Sequence, residues 1–93
     1  MPAEIEAYLC KHPNIKEAAV VGVPDEMLGN RICAFLMMEE GNKLDVQAIH
    51  QFLKEIGVAS YKLPDQVELI EEWPLTSVGK IDKKVLGQMA QEK

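Results

Sequence analysis

Two continuous apolar runs constrain the fold of this chain more than any other feature of its sequence. The first covers residues 18–23 and is followed by Pro24-Asp25, and the second covers residues 32–38. Runs of this kind, rich in β-branched and small residues, are typical of strands that are covered on both faces. The stretch between them, residues 24–30, is too long for a tight hairpin but short enough to join antiparallel neighbours. The sequence therefore predicts two adjacent buried strands.

Helical periodicity appears on either side of these runs. The clearest helix begins after Asp45, a favourable N-cap, and ends at Gly57. A short helix opens the chain and ends before Pro13, and a last helix begins after Asp82. The predicted buried stripe of the clearest helix is Val46, Ile49, Phe52, Leu53 and Ile56. The apolar positions of the first and last helices are Ile5, Tyr8 and Leu9, and Val85, Leu86, Met89 and Ala90.

Residues 66–71 alternate between apolar and polar side chains, which predicts a third strand with one wet face. A crossover through the middle helix would lay this strand parallel to the second strand. The predicted fold class is therefore α+β, a small mixed three-stranded sheet packed with helices.

A polar, turn-rich loop of residues 73–84 ends in a glycine-lysine pair before the last helix. Pro74 fixes its own backbone, and Gly79 permits a positive φ, so Lys80 is expected on a short loop rather than on a helix face. Its ammonium could bind a phosphate or a carboxylate, although an ordinary solvated lysine is the alternative. The phosphate-binding P-loop is excluded, because that motif requires a serine or threonine where this chain has Ile81.

The composition excludes several classes of partner. The chain of 93 residues has a formal net charge of −5, whereas nucleic acids and anionic membranes attract basic surfaces. No apolar run reaches the roughly 18 residues of a membrane span. Cys10 and Cys33 lack metal-ligand spacing, so we predict no metal site and interpret both as small core residues in a reducing compartment. We expect a cytoplasmic protein.

Other polar residues do not form a recognisable catalytic group. His12 and His50 have no neighbour at the spacing of a metal site or a nucleophile pair. Glu71-Glu72 lies at the end of the predicted third strand, where adjacent side chains point to opposite faces and cannot act on one bond. Lys83 and Lys84 are expected to be solvated residues of the last helix.

Several motifs cover essentially the whole chain: Ile5-Glu6, His12-Pro13, residues 18–25, Gly29-Asn30-Arg31, residues 61–64 and residues 74–80. Together they resemble the small C-terminal domain of the adenylate-forming ligase superfamily. This superfamily contains acyl- and aryl-CoA synthetases, the adenylation domains of nonribosomal peptide synthesis, and luciferases. Within it, the chain looks most similar to the ligases that activate 2,3-dihydroxybenzoate or salicylate for siderophore assembly.

The resemblance implies a catalytic role for Lys80, which occupies the lysine of the family's Pro-x-x-x-x-Gly-Lys motif, with Gly79 supporting the loop. In the family this lysine contacts the carboxylate of the acid and the ATP-derived phosphate during adenylation. A second half-reaction passes the acyl group to a thiol, and the small domain rotates between the two steps. At one position the chain departs from the family, since Asn30 stands where glutamate is common.

The resemblance further implies that residues 1–93 are a C-terminal lid domain whose large N-terminal domain is absent from this chain. That domain would bind most of the ATP and Mg²⁺ and the aryl carboxylic acid, so the chain alone is expected to bind ATP poorly and to catalyse nothing. The expected thiol partner is the phosphopantetheine of an aryl carrier protein, or coenzyme A. The alternatives are the lid of an acyl-CoA synthetase and a free-standing, non-catalytic module that binds a carrier protein.

Overall fold

A computed structural model describes residues 2–27 and 29–92 of the chain. Its helices are α1 (Pro2–Leu9), α2 (Val46–Ile56) and α3 (Lys83–Gln91), and its strands are β1 (Ile15–Asp25), β2 (Gly29–Met38) and β3 (Gln66–Leu69). A single 3-10 turn, Ser60–Lys62, lies between α2 and β3. Within the described residues, β2 is the central strand of a three-stranded sheet, antiparallel to β1 and parallel to β3. The predicted α+β class and mixed sheet are confirmed.

The hairpin between β1 and β2 is tighter than the sequence predicted. The paired register continues past the apolar runs to Asp25 opposite Gly29, so that only residues 26–28 separate the strands. The Asp25 carboxylate accepts a hydrogen bond from the N–H of Met27 at 2.9 Å. The prediction that residues 24–30 are too long for a tight hairpin was therefore wrong. Pro24 belongs to β1, which is compatible with an edge strand because edge positions tolerate a missing N–H.

The sheet is covered on both faces, as the apolar runs predicted. Because side chains alternate along a strand, neighbouring residues of β1 and β2 enter different clusters. The α1–α2 face buries Ile5, Leu9, Val20, Ala34, Leu36, Ile49 and Leu53, and the α3 face buries Ala19, Val21, Val23, Cys33, Phe35, Leu86 and Ala90.

The ends of α2 lie where the sequence predicted them. The Asp45 carboxylate accepts a hydrogen bond from the N–H of Ala48 at 2.8 Å. Gly57 adopts a left-handed φ of 106° and donates its N–H to the carbonyl oxygens of Leu53 and Lys54. Both contacts satisfy backbone groups that a helix terminus leaves unpaired.

β3 is shorter than predicted. It ends at Leu69, so Glu71 and Glu72 follow the strand instead of lying within it, and both are exposed. Among the described residues, none of the helices is both long enough and apolar enough to cross a lipid bilayer.

Arg31 has a structural role that its motif did not reveal. Its guanidinium donates to the Asp25 carboxylate at 3.1 Å, to the Gln66 side chain at 3.1 Å and to the carbonyl oxygen of Ala90 at 3.0 Å. These contacts join the β1–β2 hairpin to the start of β3 and the end of α3. Arg31 therefore holds the α3 side of the sheet together.

The packing predicts unequal costs for two substitutions in α2. Leu53 is fully buried, whereas Ile56, at the C-terminal end of the helix, is 39% exposed, so the prediction that Ile56 belongs to the buried stripe was wrong. Leu53→Ala should lower the free energy of unfolding by about 2–5 kcal/mol, because it leaves a cavity in the core. Ile56→Ala should cost less than about 1 kcal/mol. Urea unfolding followed by circular dichroism measures both values, and equal losses would contradict the assignment of the core.

Candidate functional site

The glycine-lysine pair lies on a small hairpin between β3 and α3, residues 74–82, which we call the Lys80 hairpin. Leu75 and Ile81 form an antiparallel bridge across it. The N–H of Thr76 donates to the carbonyl oxygen of Lys80 at 2.7 Å. The backbone on either side of Lys80 is therefore held by hydrogen bonds within the loop itself.

The turn of this hairpin depends on Gly79. Its φ is +85°, in the left-handed region that side chains disfavour, and its N–H donates to the carbonyl oxygen of Thr76 at 2.9 Å. The hydroxyl of Thr76 also accepts a weaker hydrogen bond from the N–H of Lys80, at 3.3 Å. The predicted positive φ of Gly79 is confirmed, and this turn sets the position of the next residue, Lys80.

The C-terminal end of the hairpin leads directly into α3. The N–H of Asp82 donates to the carbonyl oxygen of Pro74 at 2.7 Å, which closes the base of the loop. The Asp82 side chain accepts from the N–H of Val85 at 3.3 Å and so caps the helix, as predicted. The base of the hairpin and the start of α3 therefore form one hydrogen-bonded unit.

Apolar contacts attach this unit to the domain. Trp73 and Ile81 are partly buried and pack against the cluster on the α3 face. The burial of these side chains anchors the hairpin to this face of the sheet. Leu75 and Val78 remain 60% and 77% exposed, respectively, next to the exposed lysine.

Lys80 itself is exposed, and its ammonium makes no hydrogen bond or ion pair with any residue that the structure describes. Lys80 lies three residues before Lys83, the first residue of α3, and the N-terminus of this helix contributes a weak positive field. A lysine ammonium on a flexible stem is a mobile donor that suits phosphate or carboxylate oxygens. Among the described residues, Lys80 is therefore an unpaired cation on a loop whose backbone is hydrogen-bonded.

The structure also brings together a pair of charges that the sequence did not predict. The Nζ of Lys83, the first residue of α3, lies 2.6 Å from Oε2 of Glu6 on α1. Lys83 is exposed on the helix, as expected, but it also forms an ion pair that the sequence did not predict. Lys84 is exposed and forms no ion pair with a described residue, in agreement with the same expectation. The contact joins residues far apart in the chain, and no local pattern signals it.

The two histidines have structural contacts. The Nδ1 of His12 accepts a hydrogen bond from the N–H of Asn14 at 3.1 Å, and its ring packs edge-on against Phe52 with centroids 4.8 Å apart. The Nε2 of His50 contacts the carbonyl oxygen of Pro64. Within residues 2–27 and 29–92, no group of three or more His, Cys, Asp or Glu side chains could hold a metal ion.

The two cysteines differ in environment. Cys33 is buried in the sheet as predicted, but Cys10 is exposed after the end of α1, so its assignment to the core was wrong. Burial raises the pKa of the Cys33 thiol to about 12, and the nearby Glu68 carboxylate acts in the same direction. Because the thiolate is the reactive form, Cys33 is not a nucleophile near neutral pH.

Comparison with known proteins assigns the chain to a family. The family of AMP-binding enzyme C-terminal domains matches residues 4–80, and the chain belongs to it. The chain is 43% identical over 91 residues to the 2,3-dihydroxybenzoate-AMP ligase of Bacillus subtilis (strain 168), covering 97% of this chain and 16% of that protein. It is 46% identical over 85 residues to enterobactin synthase component E of Escherichia coli (strain K12), covering 91% of this chain and 16% of that protein.

The fold agrees with this assignment. The solved structure of ATP-bound MatB from Rhodopseudomonas palustris superposes with a TM-score of 0.88 at 27% identity, covering 98% of this chain and 18% of that chain. The chain spans about one sixth of the length of the curated relatives it matches. The family and the α+β fold predicted from the sequence are confirmed.

The thiol environments predict selective alkylation. Treatment of the native chain with iodoacetamide at pH 8 should modify Cys10 and leave Cys33 unmodified, because pH 8 lies well below the raised pKa of about 12 and the Cys33 side chain is buried. Intact-mass and peptide analysis count and locate the adducts. In urea both residues should react; equal labelling of the two in the native chain would contradict this description.

The backbone of the turn predicts the effect of replacing Gly79. Gly79→Ala should lower the free energy of unfolding by about 1 kcal/mol, because φ is +85° there and no atom lies close enough to clash with the added Cβ. Gly79→Asn should cost less, since asparagine tolerates the left-handed region. Urea unfolding measures both variants. A loss for Asn equal to or larger than that for Ala would show that another property of the turn requires glycine.

Proposed function

We propose that this chain acts as the C-terminal domain of an ATP-dependent ligase that adenylates an aryl acid, and that Lys80 supplies the cation for this step. The observation that carries the proposal is the exposed Lys80 ammonium, which has no partner among the described residues and lies on a hydrogen-bonded hairpin. Membership of the AMP-binding enzyme C-terminal domain family supports it. The similarity to a 2,3-dihydroxybenzoate-AMP ligase supports the choice of an aryl acid.

The proposed reaction has two halves. In the first, a carboxylate oxygen of 2,3-dihydroxybenzoate or salicylate attacks the α-phosphorus of ATP, and the bond to the leaving pyrophosphate breaks. In the second, a thiol attacks the carbonyl carbon of the aryl adenylate, which forms a thioester and releases AMP. The proposed thiol is the phosphopantetheine of an aryl carrier protein in siderophore biosynthesis.

Electrostatic repulsion makes the first half-reaction difficult without a cation. A carboxylate has to approach a polyphosphate, and both groups are anionic. One ammonium within about 4 Å of such a charge, at an effective dielectric constant near 20, contributes roughly 4 kcal/mol. If it acts on the transition state, this corresponds to about a thousandfold in rate. Lys80 is suited to the role because no described residue already neutralises it.

The remaining parts of the site are assigned to a large N-terminal domain. We place the binding of ATP, Mg²⁺ and the aryl acid mainly on that domain. We also propose that the chain acts as its lid and is inactive alone. We further propose a cytoplasmic location, with which the free thiols of Cys10 and Cys33 are compatible.

The proposal predicts that Lys80→Ala separates the two half-reactions. In the full-length protein that contains this chain, ATP–pyrophosphate exchange driven by the aryl acid should fall by about a thousandfold. Transfer of the aryl group from preformed adenylate to the thiol should be largely retained. Lys84→Ala is the matched control, because Lys84 is also exposed and makes no ion pair with a described residue, and its exchange rate should be unchanged.

An equal loss of both half-reactions in Lys80→Ala would contradict a specific role in adenylation. The same assay tests the nature of the thiol: thioester formation with coenzyme A in place of a carrier protein would favour the lid of an acyl-CoA synthetase. Absence of exchange in the unsubstituted protein with any carboxylic acid would favour a non-catalytic module that binds a carrier protein.

A further inference from the structure

The ion pair between Lys83 and Glu6 lies at the exposed edge of the sheet. Oε2 of Glu6 is 2.6 Å from the Nζ of Lys83 and accepts a hydrogen bond from the N–H of Val20 at 2.7 Å. Because β1 is an edge strand in the described sheet, its outward N–H groups have no neighbouring strand to bind. One oxygen of the Glu6 carboxylate therefore accepts a hydrogen bond from the edge of β1 and pairs with the first residue of α3.

The two helices joined by this contact pack on opposite faces of the sheet. The apolar residues of α1, Ile5 and Leu9, belong to the α1–α2 face, whereas Leu86 and Ala90 of α3 belong to the α3 face. The Lys83 side chain extends from the α3 face across the edge of β1 to the carboxylate of Glu6 on α1. The contact therefore fixes the N-terminus of α3 relative to both α1 and β1.

The N-terminus of α3 is also the end of the Lys80 hairpin. Asp82 closes the base of the hairpin through its N–H and caps α3 through its side chain. A displacement of Lys83 would therefore be transmitted to the backbone that carries Lys80. Among the described residues, Lys83 is the first residue after Lys80 whose side chain binds a residue of α1.

We propose that Lys83 is a positioning residue for adenylation, acting through Glu6 to hold the Lys80 hairpin at the β1 edge. This inference rests on the proposed function of Lys80. Partly exposed ion pairs contribute little to global stability, and the side chains of Lys83 and Glu6 are 47% and 21% exposed. The effect of the pair should therefore appear in the geometry of the site, where a small misplacement is costly, rather than in the stability of the fold.

The test compares variants of the full-length protein that contains this chain. Lys83→Met should lower kcat for pyrophosphate exchange by about ten- to a hundredfold, while transfer from preformed adenylate and the thermal unfolding midpoint change little. Lys83→Arg, which keeps the charge and the donor, should restore most of the exchange. Lys84→Met is the matched control and should leave exchange unchanged.

A double-mutant cycle tests whether Glu6 is the partner. Glu6→Gln keeps an acceptor for the N–H of Val20 but removes the charge, so it should lower the exchange rate. The double variant Glu6→Gln with Lys83→Met should lose no more exchange activity than Lys83→Met alone. Additive losses would overturn the inference, as would equal losses of exchange, transfer and thermal stability.

The outcome for Lys80 separates this inference from the proposed function. If Lys80→Ala abolishes exchange but Lys83→Met behaves like Lys84→Met, the positioning role is wrong and the function of Lys80 stands. If Lys80→Ala leaves exchange intact, the proposed function fails, and the positioning role fails with it.

Discussion

The structure depends on the burial of both faces of one small sheet. α1 and α2 cover one face, and the other face is left for α3 together with Trp73 and Ile81. Because α3 follows the Lys80 hairpin directly, the burial of its apolar side chains also determines where the hairpin lies. Hydrophobic packing thus places the base of the loop, and the backbone hydrogen bonds within the loop determine its shape.

Several charged side chains make contacts within the domain. Arg31 joins the hairpin of β1 and β2 to β3 and α3, Lys62 pairs with Glu4 at 3.4 Å, and Lys83 pairs with Glu6. Lys80 differs from these residues, because its ammonium has no partner among the described residues. A cation that is not used to stabilise its own domain remains available to bind an anion on another domain.

Local signals predicted most of the fold. The caps Asp45 and Asp82, the stop at Gly57 and the two buried runs depend on neighbouring residues, so they could be read from the sequence. Contacts between residues far apart in the chain could not be read from the sequence, so the ion pair of Lys83 was missed. The length of the β1–β2 connection was misjudged because Pro24 was interpreted as the end of the strand. The turn geometry of Lys80 followed from Gly79, whereas its proposed catalytic role came from the family resemblance and not from the residues alone.

A crystal structure of the full-length protein with a non-hydrolysable aryl-adenylate analogue would locate the Lys80 ammonium. We expect Nζ to lie about 3 Å from a carbonyl or phosphate oxygen of the analogue, with the hairpin backbone unchanged. A Lys80 side chain that instead pairs with a carboxylate of its own domain, in a lid closed over the analogue, would contradict this expectation.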